Sequence, residues 1–127
     1  MATGSPNPVV LVVDDEAMIR VLVEALLRQQ GVEALSAATG DEALDLFTPR
    51  AHEVTGALLD VNLPDTDGLT LLGDLRALKP DLRCWFMSGA SDPGLLPKVQ
   101  ALGALGLLEK PFADLSALSA ALRQLAS

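Results

Sequence analysis

Tyrosine is absent from this 127-residue chain, tryptophan and histidine occur once each, and phenylalanine occurs three times. A core must therefore come mainly from Leu, Ala and Val, which suits helices packed on a small aliphatic sheet. The single Cys84 excludes an internal disulfide, and no Cys/His cluster exists to bind zinc. Its neighbours Trp85 and Phe86 suit a buried thiol. Basic residues are also few: nine Lys and Arg face seventeen Asp and Glu, a formal net charge of −8. That balance disfavours nucleic-acid phosphate as a partner, and no basic stripe opposes it. No apolar run is long enough to span a bilayer and no signal-peptide pattern occurs, so a cytoplasmic protein without membrane attachment is expected. Residues 1–8, rich in Gly, Ser, Pro and Asn, are expected to be a flexible tail, with one domain over 9–127.

What is present is a repeated pattern. Val9-Val10-Leu11-Val12-Val13 reads as a strand buried on both faces, and it stops abruptly at Asp14-Asp15. A helix follows over Ala17–Gln30, with Met18, Val21, Leu22, Ala25 and Leu26 on its expected apolar stripe and Gly31 as its stop. A weaker strand over Val32–Ala38, expected near an edge, precedes a short helix over Asp41–Phe47. Val54 to Asp60 repeats the opening theme, an apolar strand running into a carboxylate, and leads through a turn-rich loop into a helix over Leu69–Leu78. The next strand, Leu82–Met87, ends in Ser88-Gly89-Ala90-Ser91, and Asp92-Pro93 is expected to start a helix weakened by Pro97. A last strand over Ala104–Glu109, the turn Lys110-Pro111-Phe112 and a helix over Asp114–Leu125 complete the chain. Five strand–helix units joined by short connections predict a doubly wound five-stranded parallel sheet.

Parallel strands share a direction, so Asp14, Asp15, Asp60, Ser88 and Lys110 fall on one rim of that sheet. Each alone has a plainer reading: an acidic pair can be a helix cap, a strand-end Asp or Ser a turn residue, a Lys before Pro a solvated side chain. Together they say more. Three carboxylates that meet repel one another unless a cation joins them, and oxygen donors with room for water suit Mg²⁺. A lysine and a hydroxyl facing that cation suit a tetrahedral anion, and an aspartate can act as its nucleophilic acceptor. His52, alone in a polar connection, is expected at the surface.

At these residues the chain resembles a response-regulator receiver domain, the phosphoacceptor module of two-component signalling. The matching stretches are Val-Val-Asp14-Asp15-Glu16, Leu-Leu-Asp60-Val-Asn62-Leu-Pro64-Asp-Thr-Asp67-Gly68, Met-Ser88-Gly-Ala and Glu-Lys110-Pro111-Phe112. The resemblance implies a flavodoxin-like (βα)5 fold with strand order 2-1-3-4-5. It implies that a histidine kinase or histidine phosphotransfer protein phosphorylates Asp60, with Ser88 and Lys110 receiving phosphoryl oxygens. Asp14, Asp15, Asp60 and the Asn62 carbonyl would hold Mg²⁺, and the Lys110–Pro111 bond would be cis. The domain would be no enzyme beyond its own phosphorylation and dephosphorylation. Its output would run through the face of the fourth helix, fifth strand and fifth helix to a protein target.

One departure stands out: Leu107 occupies the position, three before the lysine, where the family commonly has an aromatic. The switch is therefore expected in the loop and helix over 89–103. The alternatives are a receiver-like interaction module that is never phosphorylated, and a phosphohydrolase of the haloacid-dehalogenase type. Asn62 opposes the second, because it stands where that family needs an acid/base Asp. A histidine phosphotransfer protein would be all-helical with its His on a helix, unlike His52.

Overall fold

A computed structural model describes residues 8–89 and 92–127. Residues 1–7 of the expected tail, and Ala90 and Ser91 of the expected switch loop, lie outside the described residues. The strands are β1 (Val9–Val13), β2 (Glu33–Ala37), β3 (Val54–Asp60), β4 (Arg83–Ser88) and β5 (Gly106–Glu109). They alternate with helices α1 (Ala17–Gln29), α2 (Gly40–Phe47), α3 (Gly68–Leu78), α4 (Leu95–Ala101) and α5 (Leu115–Ala126). Every strand pairing is parallel, and the order β2-β1-β3-β4-β5 is the expected flavodoxin-like one.

The alternation of side chains along a strand divides the core in two. Val9, Leu11 and Val13 of β1 join Phe47, Leu71, Leu75 and Val99 on the face covered by α2, α3 and α4. Val10 and Val12 join Val23, Leu27, Leu118 and Leu122 on the face covered by α1 and α5. All five β1 residues are buried, as their continuous apolar run requires. β2 is an edge strand, and only Ala37 of it is fully buried. Cys84 is a buried free thiol, whose ionisation burial pushes well above the usual range.

Two expectations need correction. On α1, Val23 and Leu27 are buried, whereas Met18 and Val21 are 80% and 62% exposed. Apolar residues surround most of this helix, so periodicity left its inward face open; docking against β1 and α5 chose it. α4 starts at Leu95, not at Asp92-Pro93. Asp92 makes a turn instead: its carboxylate accepts the Gly94 N–H at 2.9 Å and its carbonyl accepts the Leu95 N–H at 3.0 Å. Pro97 is thus the third helical residue, where a backbone N–H has no intrahelical partner anyway, and it deprives α4 of no hydrogen bond.

Other helix ends are set by residues close by in the chain, and of these only Gly31 is expected from the sequence. Gly31 ends α1 with φ +74°, a conformation that disfavours other residues. Asp67 caps α3 by accepting the Thr70 N–H, and Asp114 caps α5 by accepting the Ser116 and Ala117 N–H groups.

Candidate functional site

The register fixes the rim. Val13 is paired with both Ala37 and Leu59, and Asp60 with Met87, so β1 and β3 deliver Asp14 and Asp60 to neighbouring strand ends. Ser88 pairs with Glu109, one residue before Lys110, and the Lys110 N–H donates to the Ser88 carbonyl at 2.8 Å. Asp14, Asp60 and Ser88 are buried and Asp15 is exposed. Asp15, Asp60, Asn62 and Lys110 line an open cleft of about 510 Å³, with Glu16 and Gly89 at its walls. The Lys110–Pro111 bond is cis, as the resemblance implied.

Lys110 is the centre of the site. Its Nζ donates to Asp60 Oδ2 at 2.8 Å, to Asp14 Oδ2 at 2.9 Å and to Glu16 Oε1 at 2.9 Å. Burial pulls the ammonium down, but hydrogen bonds to Asp60, Asp14 and Glu16 outweigh it and hold the lysine above its ordinary range. Burial pushes the Asp14 carboxyl above the usual aspartate range; the Glu16 backbone N–H and Lys110 oppose that rise, and the Asp60 charge adds to it. The carboxylates of Asp14, Asp15 and Asp60 converge, with one oxygen from each lying within 4.8 Å of the others. The donor chemistry fits Mg²⁺: oxygens alone, gathered at an open cleft, with an ammonium already drawn into the same negative charge.

The loop after β3 is fixed by its own backbone. The Asn62 N–H donates to Asp60 Oδ1 at 3.0 Å, and the Gly68 N–H donates to the Val61 carbonyl at 2.8 Å. A Cβ at Gly68 would stand 2.3 Å from the Asp60 carbonyl oxygen, so only glycine lets α3 begin this close to the acceptor strand. The Asn62 side chain itself is exposed. His52 is exposed too, away from the rim residues in the connection before β3.

Sequence reasoning missed three contributors. Glu16 completes the set of acids around Lys110. Arg20 donates to the Asp14 carbonyl at 2.7 Å, bracing the acidic turn from α1. Asp65 accepts the Gly40 and Asp41 N–H groups at 2.8 and 2.9 Å, so the loop after the acceptor strand also caps α2. Only Glu16 carried a sequence signal, its adjacency to the acid pair.

Parallel strands ending in gathered carboxylates and a lysine define a phosphoacceptor-type receiver. The family model for the response regulator receiver domain matches residues 10–123, and the chain belongs to that family. It is 30% identical over 106 residues to sporulation initiation phosphotransferase F of Bacillus subtilis, covering 84% of each chain. It is 35% identical over 108 residues to the sensor kinase CckA of Brucella abortus, covering 85% of this chain but 11% of that much longer one. A crystal structure of a response regulator receiver domain protein from Clostridium thermocellum superposes with a TM-score of 0.84 at 26% identity, covering 94% of both chains. The chain is thus a receiver domain of two-component phosphorelay signalling. Among the described residues no helix is long and apolar enough to cross a membrane.

Proposed function

We propose that the chain accepts a phosphoryl group on Asp60 from a histidine kinase or a histidine phosphotransfer protein. The shared lysine carries this reading: Lys110 Nζ bridges Asp60 Oδ2 at 2.8 Å and Asp14 Oδ2 at 2.9 Å, at the mouth of an open cleft. An Asp60 oxygen attacks phosphorus in line with the bond to the donor's imidazole nitrogen. The O–P bond forms as the P–N bond breaks, and the nitrogen leaves with the electron pair. Charge gathers on the phosphoryl oxygens, where the Lys110 ammonium and the Ser88 hydroxyl are the donors to receive it. Such a transfer asks for positioning and charge neutralisation more than for covalent help from the protein. Asp14, Asp15, Asp60 and the Asn62 carbonyl would hold Mg²⁺, which when bound supplies further neutralisation at the acceptor.

On this reading the domain catalyses only its own phosphorylation and hydrolysis. The signal leaves through the face of α4, β5 and α5, where Leu96, Leu105 and Leu115 stand exposed for a protein target. Neither nucleic acid nor membrane takes part. A cytoplasmic setting belongs to the same proposal, and the buried free thiol of Cys84 suits a reducing compartment.

The test is to incubate the protein with Mg²⁺ and acetyl phosphate and weigh it intact. The native chain should gain one phosphoryl group and Asp60→Asn none. Equal labelling of the two would place the acceptor elsewhere, and no labelling of either would leave the unphosphorylated interaction module.

A further inference from the structure

Asp14, Asp15 and Asp60 converge on the rim, but a side chain holds only two of them there. Lys110 Nζ ties Asp14 to Asp60. Asp15 is exposed, and among the described residues its carboxylate makes neither a hydrogen bond nor an ion pair. One of its oxygens still lies within 4.8 Å of the other two carboxylates. The backbone that carries Asp15 therefore has to put it there.

That backbone turns between β1 and α1. The Asp14 N–H donates to the Ala37 carbonyl of β2 at 3.1 Å, and the Glu16 N–H donates to Asp14 Oδ1 at 2.8 Å. Between these anchors lies the peptide that joins Asp14 to Asp15, and its carbonyl accepts from Arg20 Nη1 at 2.7 Å. Rotation of this peptide would swing the Cα–Cβ bond of Asp15 off the rim. Arg20 can reach it because helical side chains lean toward the helix N-terminus. The arginine is half-buried and, among the described residues, makes no ion pair in spite of the acids nearby. Its hydrogen bond goes to a neutral carbonyl instead.

We propose that Arg20 is a positioning residue for the divalent cation: by holding the Asp14–Asp15 peptide, it aims the Asp15 carboxylate at Asp14 and Asp60. The proposal rests on the Mg²⁺ site of the phosphoacceptor reading. Charge and position pull in opposite directions here. A guanidinium close to these acids repels Mg²⁺, so an Arg20 acting through its charge alone would weaken the metal, and its removal would tighten it. An Arg20 acting through the peptide does the reverse, because losing a group that orients a ligand loosens the metal.

Native protein, Arg20→Gln and Arg20→Met are titrated with Mg²⁺, with Kd read from amide NMR shifts, and each is repeated in an Asp15→Asn background. Gln is too short to reach the Asp14 carbonyl and Met has no donor. Melting curves without metal check the fold, and two replacements keep the comparison intact if one of them folds poorly. Either replacement should raise Kd about tenfold with Asp15 present. In the Asp15→Asn background the rise should be less than about twofold, because the carboxylate that Arg20 aims is gone. A merely structural Arg20 would weaken the metal alike in both backgrounds, and that result overturns the proposal. Unchanged or tighter binding in the Arg20 variants does the same. A native protein that binds no Mg²⁺ also overturns it, and one that in addition takes no phosphoryl group from acetyl phosphate overturns the phosphoacceptor reading with it.

Discussion

Asp60 has both carboxylate oxygens engaged: Asn62 N–H donates to one and Lys110 to the other. Replacing it with Asn leaves an oxygen able to accept the Asn62 N–H and removes one charge from a crowd of acids, while Lys110 keeps Asp14 and Glu16 as acceptors. Asp60→Asn should therefore fold with a stability within about 1 kcal/mol of native, the size of one net hydrogen bond. Chemical denaturation checks this beside the labelling assay, and a collapse of the fold would show the carboxylate to be structural. Asp65 acts at the same scale over a longer reach. Its two oxygens accept from Gly40 and Asp41, tying the Asn62 loop to the start of α2. Loss of both bonds in Asp65→Ala should raise amide exchange at Gly40 and Asp41 while leaving α5 unchanged; equal protection at all three places would mean that the tie is idle.

Among the elements, α1 offers the sharpest contrast between sequence and structure. Val23→Ala, at a fully buried position, should cost roughly 1.5–3 kcal/mol in urea denaturation. Val21→Ala, at a 62% exposed position, should cost less than about 0.5 kcal/mol. Equal losses would mean that the helix is rotated toward the periodicity-based stripe. The caps of α3 and α5 bear on pH. The Thr70 N–H foremost holds the Asp67 carboxyl below the ordinary aspartate range, and the Ser116 hydroxyl, followed by the Ser116 and Ala117 N–H groups, does the same for Asp114. Both bind protons less readily folded than unfolded, so their stabilisation is complete above the ordinary aspartate pKa of about 4 and fades as pH falls through the depressed value. Melting temperatures followed downward from pH 6 should drop less steeply in the Asp67→Asn/Asp114→Asn double variant than in the native protein. Parallel curves would show that the caps carry no such linkage. α4 also has a fixed end and a freer one. Arg76 of α3 donates to the carbonyl of Leu102 at the close of α4 and to that of Leu82, while the N-cap Gly94 offers no side-chain bond at the start. Exchange changes on beryllofluoride binding should thus concentrate at residues 92–97 and spare 100–103, a narrower switch than the one expected from sequence; uniform change along the helix would count against the Arg76 tether.

At the scale of the whole molecule, a cation held by the folded site alone stabilises the fold by mass action, by about 2.7 kcal/mol at a hundredfold excess over Kd. Mg²⁺ should raise the melting temperature of the native protein and raise that of Asp15→Ala much less; equal rises would move the metal away from the rim. The sequence by itself determined the order of the elements, the parallel sheet and the rim. β1 and β3 are continuous apolar runs that end in carboxylates, and strands joined by helices must run the same way, so their acidic ends had to meet. It also determined three helix ends, because Gly31, Asp67 and Asp114 act on neighbours within a few residues. Only the tertiary structure decided which face α1 turns inward, where α4 starts, and that Glu16 and Asp65 find partners 94 and 24–25 residues away. The physical reason is common to all of these. A helix that is apolar on several sides takes its orientation from the surface it meets, and a charged side chain takes its partner from whatever the packed elements bring within about 3 Å.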